Sequence, residues 1–338
     1  MQIFAIFAIL NKNISILMKN KTSRYLIILF FLFCAIQQSV SGMSVINSKN
    51  DTIKHWKSSG NFRFAFNQIG YSNWAQGGEN SVIGNTAFDY SLKYDNKKIT
   101  SISTLNLGYG IVLTNEDGLR KNDDKLHLSS KLGYLISKTL KYSLLFDLKS
   151  QFAAGYKYPN DTVIVSDFFA PGYITLSFGT DWSPVEYLSI LISPASGKFT
   201  IVSDADLANQ GKYGMQPAVY DTANNIIEPG SNFKGEFGMN FIFSLEKEIF
   251  KNVNVDSKLE LHNNYFAIDP CNRWNFDVNM ETSMNFTINK YLTTNFYFHM
   301  LYDHDILIAL YDSDGVEIGS GPRMQIKENL GVGLSFKF

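Results

Sequence analysis

From about residue 61 to its C-terminus the chain alternates apolar and polar residues with a period of two. The clearest case is residues 139–156, where aromatic and aliphatic residues share one face and Lys, Ser, Asp and Gln share the other. Successive side chains of a strand point to opposite sides of the sheet, so this pattern predicts strands with one apolar and one polar face. The predicted strands are residues 61–70, 82–94, 99–113, 124–136, 139–156, 172–182, 186–193, 233–246, 252–265, 274–287, 291–302 and 324–338.

The connections between these segments alternate in length. Short turns are predicted near residues 95–98, 137–138, 183–185, 248–251 and 289–290, and longer loops at residues 71–81, 114–123, 157–171, 194–232, 266–273 and 303–323. Most segments suit a tilted membrane-crossing strand of roughly 9–11 residues. Short turns opposite long loops are typical of outer-membrane barrels. The sequence therefore predicts an all-β fold, a transmembrane antiparallel up-and-down β-barrel of about 12 strands.

A secreted β-sandwich is the rival interpretation, because its strands alternate too. A sandwich does not require a mostly apolar face on every one of twelve long strands. An even number of strands places both barrel termini on the periplasmic side, as export through the inner membrane requires. The alternation and the loop asymmetry therefore favour the barrel in the cell outer membrane of a Gram-negative bacterium.

The N-terminus has the order of a secretory signal. Basic residues Lys19, Lys21 and Arg24 precede an apolar run at residues 25–35, and small residues follow up to Gly42. The domain prediction is a signal peptide or leader at residues 1–42, a short periplasmic segment at 43–60 and the barrel at 61–338. Translation from Met1 and translation from Met18 both remain open.

Composition removes several classes of function. The 338 residues carry a formal net charge of −1, which gives no basis for nucleic-acid binding. Aromatic residues make up 14% of the chain, yet the mean hydropathy is only −0.08, as expected when rings face lipid and polar groups face a lumen. Removal of the leader leaves Cys271 alone, so no intramolecular disulfide forms.

The last strand alternates to the end of the chain. Its apolar residues include Leu330, Val332, Leu334, Phe336 and Phe338, the final residue. A C-terminal aromatic residue on an alternating strand resembles the signal that the barrel-assembly machinery reads. Phe336 and Phe338 are therefore the predicted assembly signal, and the assembly machinery and outer-membrane lipid are predicted partners.

Several stretches carry a family resemblance. The most distinctive is Trp74-Ala-Gln-Gly77-Gly78-Glu79-Asn80 in the first outer loop, and others lie at residues 107–110, 119–124, 166–171, 193–202 and 321–323. With the C-terminal Phe strand, these stretches resemble a family of uncharacterised outer-membrane β-barrel proteins from Bacteroidetes, a domain of unknown function. The resemblance implies the fold and the location, and it implies no activity.

The inner faces of the last strands bring titratable side chains together. Simple hairpin pairing places His262 opposite Asp277 and Lys258 opposite Glu281, and it places Glu260 near Asn279. The next hairpin brings His299 beside Asn279 and Tyr297 beside Glu281. The predicted lumen polar cluster is His262, Asp277, Glu260, Lys258, Glu281, His299, Asn279 and Tyr297.

This cluster has two interpretations. A histidine beside an aspartate suits proton handling or substrate binding. A network of ion pairs that fills and stiffens the lumen needs only the polar interior that barrels have by construction. Ser283 faces the same wall, but no motif of an outer-membrane phospholipase surrounds it. No catalytic residue, metal ligand or cofactor is therefore assigned.

The loops give weaker signals. Asp303, Asp305, Asp312 and Asp314 suggest an oxygen-rich Ca²⁺ site, but the spacing of a calcium loop is incomplete, which favours a solvated acidic loop. Trp74 beside Gly77 and Gly78 marks a tight turn, with a ligand-stacking tryptophan as the alternative.

Four functions remain. The strand number favours a small-solute channel or facilitator, because twelve-stranded barrels lie between filled eight-stranded barrels and open porins. The alternatives are a structural or assembly component of an envelope complex, a hydrolase in the lumen or at the rim, and a receptor that uses the long loops. A lumen blocked at every level would count against the channel.

Overall fold

The computed structural model describes residues 55–69, 81–114, 118–158, 160–267, 269–289, 291–312 and 317–338. All of these residues belong to the compact unit Lys54–Phe338. The predicted leader at 1–42 and most of the predicted segment at 43–60 lie outside the described residues, and their roles stay predictions. The strand that opens the barrel begins at Trp56, five residues before the predicted boundary.

Twelve antiparallel strands close into one barrel, each beside its neighbours in the sequence, with the last strand pairing the first. They are β1 (Trp56–Ile69), β2 (Ser81–Asp95), β3 (Ile99–Thr114), β4 (Gly118–Leu135), β5 (Leu140–Ser150), β6 (Gly172–Val185), β7 (Leu188–Ile201), β8 (Phe233–Phe250), β9 (Val253–His262), β10 (Asp277–Thr287), β11 (Leu292–Tyr302) and β12 (Gln325–Lys337). The predicted fold class is confirmed. Among the described residues, no helix is long and apolar enough to cross a membrane.

The alternation in the sequence decides which way each side chain points. On β5, Tyr142 and Leu144 are exposed on the outside, while Ser143, Leu145 and Asp147 are buried inside. The same division runs around the barrel: the exposed large side chains are mostly apolar, and the buried ones include many serines, aspartates and asparagines. This distribution, with apolar side chains outside and polar side chains inside, is the reverse of that in a water-soluble domain and is characteristic of a membrane barrel.

Several predicted boundaries are wrong. The strand predicted at residues 139–156 ends at Ser150, and Gly155–Tyr156 pairs instead with Ile164–Ser166. The predicted strand at 186–193 continues to Ile201. It continues because a bulge opposite Gly179 absorbs the break in alternation near Pro194 and lets pairing resume.

The predicted loop at 114–123 is also mostly strand. Residues 118–123 pair with the end of β3 through a bulge at Asn122, which leaves residues 115–117 to connect β3 and β4. In the predicted strand 274–287, residues before Asp277 are not strand, because Trp274 belongs to the 3-10 helix Pro270–Trp274.

The long connections carry small elements of their own. Helix α1 (Ala205–Asn209) begins after Asp204, whose side chain accepts a hydrogen bond from the Leu207 N–H. Its buried residues pack with Ala170, Val202 and Met215 in a small apolar core. Tyr213 donates a hydrogen bond to the Val165 carbonyl, and burial raises the pKa of this phenol to about 12. Two-stranded hairpins form at Val219–Tyr220 with Ile226–Glu228, at Leu307–Tyr311 with Glu317–Pro322 and at the residues after β5 named above.

Candidate functional site

The polar faces of the strands meet inside the barrel. Strands β9 and β10 have the predicted register, with Lys258 opposite Glu281, Glu260 opposite Asn279, and His262 opposite Asp277. The register of β10 and β11 differs from the prediction by two residues, since His299 lies opposite Glu281 and Tyr297 opposite Ser283. The His299 and Tyr297 side chains point diagonally across the strand pair, each toward a residue of β10 two positions from the one directly opposite.

Two of the predicted contacts therefore form in spite of the different register. The His299 ring donates to Asn279 Oδ1 at 2.9 Å, and the Tyr297 hydroxyl donates to Glu281 Oε2 at 2.8 Å. The offset arises at the turn, where the Asn289 side chain accepts hydrogen bonds from the N–H groups of Tyr291 and Leu292 and holds a loop longer than the predicted one.

His262 lies opposite Asp277 as predicted, but the two do not form the base and orienting group of the proton-handling interpretation. The Asp277 carboxylate instead receives Lys198 Nζ at 2.6 Å. Neither ring nitrogen of His262 hydrogen-bonds to a described residue, although the side chain is only 5% exposed. A histidine without an orienting carboxylate lacks the arrangement that general-base catalysis needs.

A central cluster lies between β4, β5 and β9. The His127 ring donates to Asp147 at 2.8 Å, and Lys149 Nζ donates to Glu260 at 3.1 Å. Lys258 Nζ lies 3.6 Å from the same Asp147 carboxylate, which is almost fully buried. The two lysines balance the two carboxylates, as buried charges require.

Two further ion pairs cross the lumen. Lys125 on β4 contacts Glu281 on β10 at 2.6 Å, and these strands stand opposite each other in the barrel. Lys327 on β12 contacts Asp123 on β4 at 2.5 Å. Because each pair links separated strands, the side chains must reach across the interior. We call these two pairs the cross-lumen pairs.

A third group gathers toward the loop end of the strands. Lys198 Nζ lies 2.6 Å from Asp277, 3.0 Å from Asp303 and 3.8 Å from Glu236. Lys234 contacts Glu236 at 3.2 Å and also bonds to Asp305. We call these six residues the mouth cluster, in which two lysines face four carboxylates.

The Asp303 carboxylate, just beyond β11, shows how the mouth cluster holds its charges. Burial acts to raise its pKa, but the charge and hydrogen bond of Lys198, with the Asp305 N–H, outweigh burial and hold the pKa below its usual value. Asp303 is only 8% exposed and pairs with Lys198, so it does not belong to the solvated acidic loop that the sequence favoured; Asp314, also named for a Ca²⁺ site, lies outside the described residues. No set of three or more potential metal ligands is arranged around a common point in the described residues.

The wall from β5 to β9 is packed from the inside, and we call it the sealed sector. Leu145, Leu191 and Ile242 form an apolar cluster on its inner face. Beside them, the hydroxyls of Ser177 and Ser196 lie 2.7 Å apart, and Asn240 donates to Ser177. These side chains are almost completely inaccessible.

Sequence reasoning found part of this network and missed the rest. It assigned Lys258, Glu260, Asp277 and Glu281 to the lumen, but not the partners that neutralise them. The missed partners are Lys125, His127, Asp147, Lys149, Lys198, Lys234, Glu236 and Asp303. Most lie on the polar faces of alternating strands, so the alternation could have predicted that their side chains face the lumen.

The two other predicted sites have different outcomes. Trp74, Gly77, Gly78, Glu79 and Asn80 lie outside the described residues, so their roles stay predictions.

Phe338 joins the two ends of the barrel. Its N–H donates to the Gly60 carbonyl at 2.9 Å, and its carbonyl accepts from the Gly60 N–H at 2.7 Å. Its ring covers the Gly60 backbone, where a Cβ atom would lie 2.3 Å from a ring carbon. Phe336 is exposed on the outer face near Tyr291. Recognition of these two residues by assembly machinery stays a prediction.

One family model matches part of the chain, and several solved structures are similar to it in fold. Residues 66–156 match the family described as "Protein of unknown function (DUF3078)". No curated protein matches the chain. Among solved structures, an outer membrane channel from Pseudomonas putida F1 is similar, with a TM-score of 0.39 and 10% identity over 87% of this chain and 100% of that one.

The translocator domain of the autotransporter NalP from Neisseria meningitidis gives a TM-score of 0.34 and 9% identity over 92% of this chain and 96% of that one. The beta domain of the Bordetella autotransporter BrkA gives 0.32 and 10% identity over 84% of this chain and 100% of that one. A fold by itself does not assign a function.

Proposed function

We propose that this chain is an integral outer-membrane barrel whose lumen is closed by ion pairs, and that it serves as a structural or assembly component of the envelope. One observation carries the proposal: charged side chains from opposite parts of the wall meet inside the barrel as the cross-lumen pairs and the central cluster.

The outer surface supports residence in a membrane. The exposed side chains on the outer face include Phe64, Leu132, Leu144, Phe178 and Phe237, which lie around much of the barrel. A soluble protein rarely exposes so large an apolar surface, whereas lipid covers it. Strand pairing around the barrel also satisfies most of the backbone groups that hydrocarbon cannot solvate. Lipid and the barrel-assembly machinery are accordingly proposed partners.

The small-solute channel is the function that the strand number favours, and the cross-lumen pairs count against it. An open path along the axis requires both cross-lumen pairs to separate, so that Lys125 leaves Glu281 and Lys327 leaves Asp123. The Lys125 and Glu281 side chains are 36% and 18% exposed, so separating them leaves two partly buried charges without partners, which costs free energy. The conformation described here therefore supports a closed barrel.

A hydrolase in the lumen lacks support from the central cluster. His127 and Asp147 have the contact of a base and an orienting group. However, among the described residues no serine, threonine or cysteine side chain hydrogen-bonds to the His127 ring. Without a nucleophile beside the base, the pair is better explained as part of the packing of the lumen.

Conductance in planar bilayers tests the closed lumen. We expect refolded wild-type protein to be silent. A variant that truncates both cross-lumen pairs (Lys125→Ala, Glu281→Ala, Asp123→Ala, Lys327→Ala) should show conductance and so prove insertion. A variant of exposed turn lysines (Lys97→Gln, Lys138→Gln) is the control and should stay silent. Reproducible conductance steps from the wild type would overturn the closed-lumen proposal in favour of the channel.

A further inference from the structure

Three neighbouring side chains of the sealed sector have polar atoms without a hydrogen-bond partner. These atoms are the Ser193 hydroxyl oxygen, the Asn240 Oδ1 atom and both ring nitrogens of His262, none of which bonds to a described residue. Ser193 and Asn240 are inaccessible to solvent, and His262 is only 5% exposed. Buried polar groups of folded proteins are almost always hydrogen-bonded, so these four atoms require a partner.

The three residues lie side by side across the wall, and we call them the polar row. Ser193 of β7 is directly opposite Asn240 of β8, and Asn240 is directly opposite His262 of β9. Neighbouring strands are about 4.8 Å apart, so the row spans only about 10 Å. The flanking strands β6 and β10 are described as well, and they pair with β7 and β9. The partnerless atoms therefore belong to one site on the inner face of the wall.

A β-bulge lies directly beside the first two residues of the polar row. Residues 194 and 195 of β7 face Met239 of β8 alone, next to the pair formed by Ser193 and Asn240. A bulge bends its strand and redirects the side chains around it. The Ser193 and Asn240 side chains are therefore neighbours in the ladder without a hydrogen bond between them.

The Asn240 amide has its orientation fixed by two acceptors. Its Nδ2 atom donates to Ser177 Oγ at 3.2 Å and to Glu260 Oε1 at 3.1 Å, and only the amide NH₂ group can donate to a carboxylate. The Asn240 Oδ1 atom is therefore a free acceptor. The Ser193 hydroxyl can donate or accept, and a neutral imidazole offers one donor and one acceptor. The polar row thus presents donors and acceptors together.

This mixture of donors and acceptors selects the ligand. An anion would meet the negative end of the Asn240 amide and the Glu260 carboxylate that this amide contacts. A metal cation would compete with a lysine, since Asp277, opposite His262, already pairs with Lys198 at 2.6 Å. Water both donates and accepts, and a buried water makes about three hydrogen bonds to polar groups that are otherwise unpaired. Water therefore fits the polar row where an ion does not.

We propose that the polar row is a binding site for buried water, which joins the Ser193 hydroxyl, the Asn240 carbonyl and the His262 ring and is closed off from bulk solvent. The site lies between two charged clusters of the interior. Asn240 donates to Glu260 of the central cluster, and His262 lies opposite Asp277 of the mouth cluster. The bound water gives His262 the hydrogen bonds that Asp277 does not supply.

A crystal structure of the wild-type protein, at a resolution that shows ordered water, tests the site directly. We expect one or more water oxygens about 2.7–3.2 Å from polar atoms of at least two side chains of the polar row. Direct hydrogen bonds within the row would overturn the proposal. A side chain of residues 70–80 bonded to the row, or the absence of any density between its polar atoms, would overturn it as well.

A double-mutant cycle in urea unfolding tests whether water bridges the row. Ser193→Ala and His262→Leu lie two strands apart, so without a shared partner their effects on the free energy of unfolding should add. With bridging water, we expect the double variant to lose less than the sum, by at least about fivefold in the unfolding equilibrium constant. Ser143→Ala replaces Ser193→Ala in the control cycle, because its hydroxyl is also buried and partnerless but lies four strands from His262. Additivity in both cycles, or equal non-additivity in both, would contradict the bridge.

Discussion

The sealed sector and the seam between β12 and β1 are built from the same alternating strands, but they differ on their inner faces. In the sealed sector, Leu191 and Ile242 pack among buried hydroxyls and amides, and the strands pair along most of their length. At the seam, Lys327 and Asn329 are exposed and pairing stops above Ala65.

Alternation alone therefore does not close a barrel. Alternation orients side chains, whereas closure also needs a continuous ladder and inner side chains that fill the space behind it. The sealed sector has both. The seam has small inner residues, Ala65 and Gly331, and a half-exposed ion pair behind them. Mutations should therefore have unequal effects in the two regions.

The largest expected effect is at the centre of the buried network. Asp147→Ala leaves Lys149 and Lys258 without the carboxylate that partly neutralises them and leaves the His127 ring without its acceptor. Because these groups are buried, we expect the free energy of unfolding to fall by about 3–5 kcal/mol. Urea unfolding of the refolded protein, followed by tryptophan fluorescence, measures it.

The control for this variant keeps its shape. Asp147→Asn preserves an acceptor for His127 but removes the negative charge. Any decrease in the free energy of unfolding beyond that of one hydrogen bond therefore measures the contribution of the charge. If Asp147→Ala costs less than about 1 kcal/mol, the central cluster does not hold the sealed sector together.

The apolar part of the sealed sector gives the next effect. Leu191→Ala removes atoms from a position that is almost fully buried against Leu145 and Ile242, so we expect a loss of about 2–5 kcal/mol, including a cavity term. Leu330→Ala at the seam should cost about 1–2 kcal/mol, the transfer term alone, because no protein side chain closes around it. Equal losses in urea unfolding would contradict the comparison.

The sequence was sufficient for the fold and for the side of the wall on which each charge lies. The β9–β10 register followed from pairing over a loop, and it is confirmed for Lys258 and His262. The predicted β10–β11 register was wrong by two residues, because the hydrogen bonds of the Asn289 side chain hold a turn longer than the one predicted at residues 289–290. Turn geometry sets register, and a single side chain is enough to change it.

The ion-pair partners could not be predicted from the sequence. Lys125 and Glu281 are 156 positions apart and meet only because the barrel closes with a particular tilt and stagger of its strands. Lys198 takes Asp277 away from His262 for the same reason. The short seam was not predicted either, although the alternation of apolar and polar residues breaks at Asn67 and Gln68, just beyond the residues that pair.

Two glycines give a smaller and more local effect. A Cβ atom on Gly179 would lie 2.0 Å from the Ile192 carbonyl oxygen at the bulge between β6 and β7, so Gly179→Ala should cost about 1–3 kcal/mol. On Gly331 the nearest atom would be the Ala65 Cβ at 3.8 Å, and Gly331→Ala should change stability by less than about 0.5 kcal/mol. Midpoints of urea unfolding for the two variants should therefore separate. A loss at Gly331 as large as at Gly179 would mean that the seam closes tightly in the membrane.

The smallest effect belongs to the ion pair behind the seam. The Lys327 and Asp123 side chains are 46% and 29% exposed, so Asp123→Asn should lower the free energy of unfolding by no more than about 1 kcal/mol. Water reaches this pair, so salt at about 1 M should remove most of the difference between wild type and variant. Asp147→Asn is the matched variant, because its carboxylate is buried and its cost should change little with salt. Unfolding of both variants at low and high salt compares the two regions directly, and a salt-independent loss at Asp123 would show that the space behind the seam is as dry as the sealed sector.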